Sequence, residues 1–128
     1  MSAVTPGVTV IPEGGGRPPS KEARKDDGGK LPWHLAPWDA FRAIVFILAF
    51  GARKYGDRNW EEGMDWSRLW SACMRHLTAW WEGEPGDPET GKSHLWHAGC
   101  CIIFLIAYEI RGKGRDDRPD FRPNQTEK

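Results

Sequence analysis

The chain has 128 residues, 39% of them apolar and 12% aromatic, and its 18 basic and 18 acidic side chains cancel to a formal charge of zero. That length suits one domain, and balanced charge gives no field to gather nucleic acid or anionic membrane non-specifically. Three cysteines, two adjacent at Cys100 and Cys101 inside an apolar run, make no disulfide framework and fit a reducing, cytoplasmic setting.

Residues 1–25 hold Pro6, Pro12, Gly14, Gly15, Gly16, Pro18 and Pro19 and then a run of charges from Lys21. They read as a mobile polar arm without the apolar core of a signal peptide. The foldable unit is expected over residues 26–111, opening on Asp26-Asp27-Gly28-Gly29-Lys30. A first helix is predicted from about Trp38 to Lys54, entered at Pro37, because Phe41, Ile44, Val45, Leu48 and Ala52 recur on one helical face. Phe46, Ile47 and Phe50 add apolar bulk elsewhere on it, and a helix apolar nearly all round needs cover on several sides, which points to a homodimer or homotetramer.

The second helix is predicted from Asp65 or Ser67, either a suitable N-cap, to Glu82, with Gly83 as its stop. The third follows Gly91 with Ser93 as its N-cap and Gly112 as its end, carrying Leu95, Ala98, Cys101, Ile102, Leu105, Ile106 and Tyr108. A strand over 100–106 competes with it, but the periodic segment is too long and is flanked by helix caps rather than hairpin turns. Its apolar core, Ala98 to Ala107, is far short of the roughly 20 residues that span a bilayer. Residues 112–128 are mostly charged and read as a flexible tail. The fold class is therefore all-α, a small antiparallel bundle of three to four core helices completed by another copy of the chain.

His76, His94 and His97 flank the loop between the last two helices, and His94 and His97 share a helix face. That loop places Glu82, Glu84, Asp87 and Glu89 within eight positions, broken by Gly83, Pro85, Gly86, Pro88 and Gly91, which favour sharp turns. Carboxylates mixed with imidazoles suit Mg²⁺ or Mn²⁺. Zinc held by His94, His97 and Cys101 is the competing arrangement, although Cys101 sits in an apolar run where a small buried hydrophobe is ordinary. The loop Lys54-Tyr55-Gly56-Asp57-Arg58-Asn59-Trp60 has the side chains to hold a nucleotide. Lys54 or Arg58 would meet phosphate, Tyr55 or Trp60 would stack on a base, and Asn59 would read its edge. Arg75 and Lys30 are further phosphate candidates. The plainer alternative has Tyr55 and Trp60 plugging the bundle end while the cations and the histidine pair face water.

Several blocks now fall into one order: Asp27-Gly28-Gly29-Lys30, Phe50-Gly51-Ala52-Arg53-Lys54-Tyr55-Gly56 with Asn59-Trp60, Arg75-His76-Leu77, Gly83-Glu84, Asp87, Glu89-Thr90-Gly91, and His94-Leu95 with His97-Ala98. Over about Asp26 to Tyr108 this order resembles the phage dATP/dGTP diphosphohydrolases, often described as MazG-like enzymes. The resemblance implies metal-dependent hydrolysis of a purine deoxynucleoside triphosphate, dGTP or dATP, to monophosphate and pyrophosphate, on an all-α fold that usually forms an oligomer. It also implies a part in phage nucleotide-pool control or in supplying the precursor of 2-aminoadenine DNA. On that basis Glu84, Asp87, His76 and His94 are the catalytic candidates. Glu84, Asp87, His94 and His97 are the metal candidates, and Lys30, Lys54, Tyr55, Arg58, Asn59, Trp60 and Arg75 those for substrate. One departure stands out: the wider group pairs acids as Glu-x-x-Glu and Glu-x-x-Asp on helices. Here Glu62-Gly63-Met64-Asp65 and Glu84-Pro85-Gly86-Asp87 lie at helix edges, and histidines occupy the helix. A non-catalytic helical interaction module, or a zinc-binding or nucleotide-binding regulator, is the alternative.

Overall fold

The computed structural model describes residues 22–120, so most of the N-terminal arm and the last eight residues lie outside the described part. Three α-helices form: α1 (Trp38–Tyr55), α2 (Trp66–Trp81) and α3 (His94–Arg111). Short 3₁₀ turns precede α1 at Trp33–Leu35 and α2 at Asn59–Glu62. Among the described residues there is no strand, only an isolated bridge between Asp65 and Arg115, and no helix is long and apolar enough to cross a membrane.

The termini of α1 and α3 follow from local chemistry. α1 starts after Pro37 with Asp39 in its first turn and ends on Arg53 and Lys54, which suits the helix dipole at both ends. At the start of α3 the Ser93 hydroxyl accepts the Leu95 N–H at 3.1 Å, and Gly112 closes the helix at φ 63°.

α3 is the spine, and both α1 and α2 pack against it. On one side Leu69 and Cys73 of α2 meet Ala98, Cys101 and Tyr108 of α3, flanked by Trp66, Leu77, Phe104 and Leu105. Cys73 faces Ala98 while His76, later in α2, faces His94, earlier in α3, so the pair is antiparallel. On the other side Ile44 of α1 lies over Gly99, where an added Cβ would sit 2.8 Å from the Ile44 Cδ1, and Phe46 meets the edge of Trp96. Gly99 thus lets α1 approach closely. Trp38, Phe41 and Val45 on α1 and Ile102 and Ile106 on α3 stay exposed.

Tyr108 is fully buried, and its hydroxyl donates to the Trp60 carbonyl at 2.5 Å. Trp60 in turn stacks on Phe104, with ring centroids 4.5 Å apart, and the Arg111 guanidinium lies 5.2 Å from its centroid. This bolts the 59–62 turn to α3.

The N-terminus of α2 differs from the expectation. Asp65 stands at the N-cap position but makes no side-chain cap; its carboxylate instead forms a fork with Arg115, both contacts 2.9 Å. The cap comes from Asp117, which accepts from the Ser67 N–H at 2.9 Å and from its hydroxyl at 2.5 Å. Trp66 donates its backbone N–H to the Arg115 carbonyl and its indole N–H to the Lys113 carbonyl, each at 2.9 Å. Residues 113–118, read from composition as the start of a solvated tail, are thus a strap across the start of α2. Gly114 makes this possible at φ 78°, since a Cβ there would lie 2.6 Å from the Met64 carbonyl oxygen.

Two outcomes follow from this packing. Tyr108→Phe removes the Tyr108 hydroxyl from a Trp60 carbonyl that still accepts the Gly63 N–H at 3.1 Å, and should lower unfolding stability by about 0.5–1.5 kcal/mol in a denaturant titration. The hydrogen bond and charge of Arg115 hold Asp65 below the usual carboxylate range, and the Ser67 hydroxyl does the same for Asp117. A depressed folded pKa gives stability that is present above the unfolded value of about 3.9 and is lost as pH falls through the folded one. Protection of the Trp66 and Ser67 amides, taken relative to the intrinsic exchange rate at each pH, should therefore fall on acidification through that range, and Arg115→Ala should weaken it already at neutral pH.

Candidate metal centre

The antiparallel packing of α2 and α3 brings His76, on the last turns of α2, against His94 and His97, on the first turn of α3. The loop between them is folded into a closed turn around Asp87. Its N–H donates to the Lys92 carbonyl at 2.8 Å, and its carbonyl accepts the Gly91 N–H at 2.7 Å. The Asp87 Oδ1 accepts the N–H groups of Glu89 (2.8 Å) and Thr90 (3.1 Å), the side-chain turn that Asp commonly makes. These bonds aim the carboxylate inward, where its side chain is only 14% exposed.

His76 Nδ1 and His94 Nδ1 stand 2.9 Å apart, and the Asp87 Oδ2 is 3.9 Å from His76 Nδ1. One ligand atom from each of His76, Asp87 and His94 falls within 4.8 Å of the others. The Glu84 carboxylate sits behind His94 at its Nε2, which leaves the Nδ1 of His94 facing His76. This is the carboxylate–histidine arrangement that typically orients a metal ligand. His97 stacks on His76, with centroids 4.6 Å apart, and its Nε2 is 2.7 Å from the Thr90 hydroxyl and 3.8 Å from Asp87.

Burial pushes the His76 pKa down, and the neighbouring His97, His94 and Arg75 add to this against the pull of Asp87. Burial likewise lowers His97, partly opposed by Asp87 and Glu89. For Asp87 burial acts upward but is outweighed by the amides of Glu89 and Thr90 and by the two imidazoles, so its carboxyl stays below the usual range. At neutral pH His76 and His97 are thus neutral imidazoles beside the Asp87 carboxylate, the protonation states a divalent cation requires.

His76, Glu84, Asp87, His94 and His97 therefore meet in one place. Within that group Glu84 backs His94, and His97 is held by Thr90, while the converging trio is His76, Asp87 and His94. Lys54 comes to the same loop through an ion pair with Glu89 at 2.6 Å, and its ammonium also lies 5.2 Å from the centre of the exposed Tyr55 ring. Arg75 is exposed beside His76. Arg58, in the left-handed region at φ 60°, pairs with Glu61 at 3.2 Å. Asn59 is exposed at the start of the second 3₁₀ turn, and Lys30 is exposed after the Asp27–Lys30 turn. The faces of Trp60 are engaged by Phe104 and Arg111, so its ring does not stand free as a stacking platform. Cys101 lies in the α2–α3 core, its thiol pushed up to about 11 by burial, and is not among the converging ligand atoms.

Sequence reasoning counted Glu89 only among the loop carboxylates and Thr90 only within a matching block, and singled out neither as a site residue. Their signal was the Asp-Pro-Glu-Thr-Gly order at 87–91, in which an Asp side chain caps amides two and three residues on. In an NMR titration the ring protons of His76 and His97 should turn over below the ordinary value of about 6.5. Because the folded value is the lower one, stability should be full above that pH and fall as the pH drops beneath it; a midpoint at or above 6.5 for both rings would contradict the buried cluster.

The sequence family described as dATP/dGTP diphosphohydrolase, N-terminal, matches residues 20–118. A dATP/dGTP diphosphohydrolase of Salmonella phage PMBT28 is 33% identical over 94 residues, which cover 73% of this chain and 32% of that protein. The chain thus spans about a third of the length of this relative. No solved structure matches it. Since the family match takes in all three helices, the loop around Asp87 and the strap at 113–118, the chain belongs to the dATP/dGTP diphosphohydrolase family, matching its N-terminal region.

Proposed function

We propose that the protein hydrolyses a purine deoxynucleoside triphosphate, dGTP or dATP, to the monophosphate and pyrophosphate, using a divalent cation held by His76, Asp87 and His94. The observation that carries this reading is the convergence of two imidazole nitrogens and a carboxylate at one loop, in a chain of a diphosphohydrolase family. The donors fit such an ion. Two imidazole nitrogens and one carboxylate oxygen lie within 4.8 Å of one another, a mixed nitrogen and oxygen set that would hold a divalent cation. Two nitrogens and one oxygen favour Mn²⁺ over Mg²⁺, which prefers an all-oxygen set.

When bound there, a divalent ion supplies charge neutralisation for the triphosphate and polarises its phosphorus–oxygen bonds. The residues of the chain do the rest. Glu84 orients His94, Thr90 orients His97, and Lys54 and Arg75 offset phosphate charge. A water attacks the α-phosphorus and gives its proton to a nearby carboxylate, the bond to the β-phosphate bridging oxygen breaks, and pyrophosphate leaves. A site with no serine or cysteine nucleophile suffices, because phosphoryl transfer depends mainly on positioning and electrostatics. Nucleotide-pool control or supply of a 2-aminoadenine DNA precursor in the host cytoplasm is the corresponding role. The exposed apolar residues of α1 and α3 support a homodimer or homotetramer as the working form.

Incubation with each deoxynucleoside triphosphate and Mn²⁺ or Mg²⁺ should yield monophosphate and pyrophosphate from the purine substrates; release of inorganic phosphate or triphosphate would overturn the assigned bond cleavage. Asp87→Asn and His94→Ala should abolish measurable Mn²⁺ binding and turnover together. Glu84→Gln should weaken Mn²⁺ affinity by about 10- to 100-fold while leaving the fold intact, as expected for a residue that acts on a ligand from behind.

A further inference from the structure

We infer that Glu89 stands in for a phosphate group: its carboxylate occupies the Lys54 ammonium at the edge of the site, and an incoming polyphosphate takes its place. This rests on the reading of the cluster as a metal–triphosphate site. Lys54 belongs to the last turn of α1, whereas Glu89 lies in the loop between α2 and α3, and their side chains meet at 2.6 Å. The Glu89 backbone N–H is bonded to the Asp87 carboxylate at 2.8 Å, so the pair is tied to a member of the converging trio. Its charge is also felt at His97. The ammonium is therefore stationed beside the cluster by an anion that the chain itself provides.

The pair is built to be exchanged. Both side chains are about half exposed, 44% for Lys54 and 51% for Glu89, and exposed ion pairs of this kind hold weakly. A diphosphate or triphosphate bridging the metal and Lys54 brings more charge and more acceptor oxygens than one carboxylate, and charge-assisted contacts to phosphate are among the stronger hydrogen bonds. Once displaced, Glu89 turns to solvent at little cost, whereas a weak anion gains too little to displace it. Glu89 thus sets a threshold that favours polyphosphates over a single phosphate at Lys54.

Calorimetric titration of the full-length chain with inorganic pyrophosphate in the presence of Mn²⁺ tests the exchange through a double-mutant cycle. Glu89→Gln should tighten pyrophosphate binding by about two- to fivefold, the range of a weak exposed pair, and Lys54→Gln should weaken it. In the Lys54→Gln background the gain from Glu89→Gln should vanish. A gain that persists undiminished there would mean that Glu89 repels anions in general, and would overturn the exchange. So would unchanged or weaker binding by Glu89→Gln, or no pyrophosphate binding by any variant. Mn²⁺ titration without phosphate reports separately on the metal centre, so loss of that reading is recognised independently.

Discussion

The antiparallel register of α2 against α3 is the constraint on which the candidate site depends. Leu69, Cys73, Ala98, Cys101 and Tyr108 interlock across the two helices, and one turn beyond Cys73 the same register places His76 opposite His94. A slip of one residue on either helix would rotate an imidazole by about 100° and break the 2.9 Å approach. The register is pinned at its other end as well. The Tyr108 hydroxyl holds the 59–62 turn, and the strap of residues 113–118 holds the first turn of α2. The core of this small unit thus also serves as the alignment device for its chemistry.

The loop completes what the helices begin. Two histidines facing each other across a helix pair would be an ordinary core contact, but Asp87 turns them into a candidate ligand set. Its carboxylate enters because the backbone on both sides is bent back on itself. Gly83 and Gly91 adopt positive φ, and Gly86 packs where a Cβ would lie 3.1 Å from the Gly91 carbonyl oxygen. One side chain then accepts two loop amides and still faces His76 and His97.

The helices were legible because apolar period, Ser93 and Gly112 all state a local preference, and α1 and α3 end within a residue of where those signals put them. The histidine–acid cluster was legible for a related reason, since its members lie within 22 residues of one another around one turn. What stayed hidden was long-range. The cap of α2 comes from Asp117, 50 positions away, and the hydroxyl that ties the Trp60 carbonyl to α3 comes from Tyr108, 48 positions away. No local propensity encodes such partners, so a segment of charged residues looks the same whether it is solvated or strapped down. The division of labour inside the cluster was hidden too. Spacing does not say that Glu84 approaches His94 from behind while His76 approaches from the front.

The charges of the loop also bear on how a nucleotide would approach. Glu84, Asp87 and Glu89 are each engaged before any ligand arrives, with His94, with backbone amides and with Lys54 respectively. Three carboxylates in one loop still repel a triphosphate, because an exposed Lys54 and an exposed Arg75 do not outweigh them at short range. On the proposed reading the dication has to enter with the nucleotide or ahead of it, since it changes the sign of the local field. Glu89 then has less reason to stay at Lys54, because the ammonium has a stronger anion within reach and the carboxylate faces added negative charge. Metal entry and release of Lys54 are in that sense two parts of one electrostatic exchange, routed through the loop that carries Asp87.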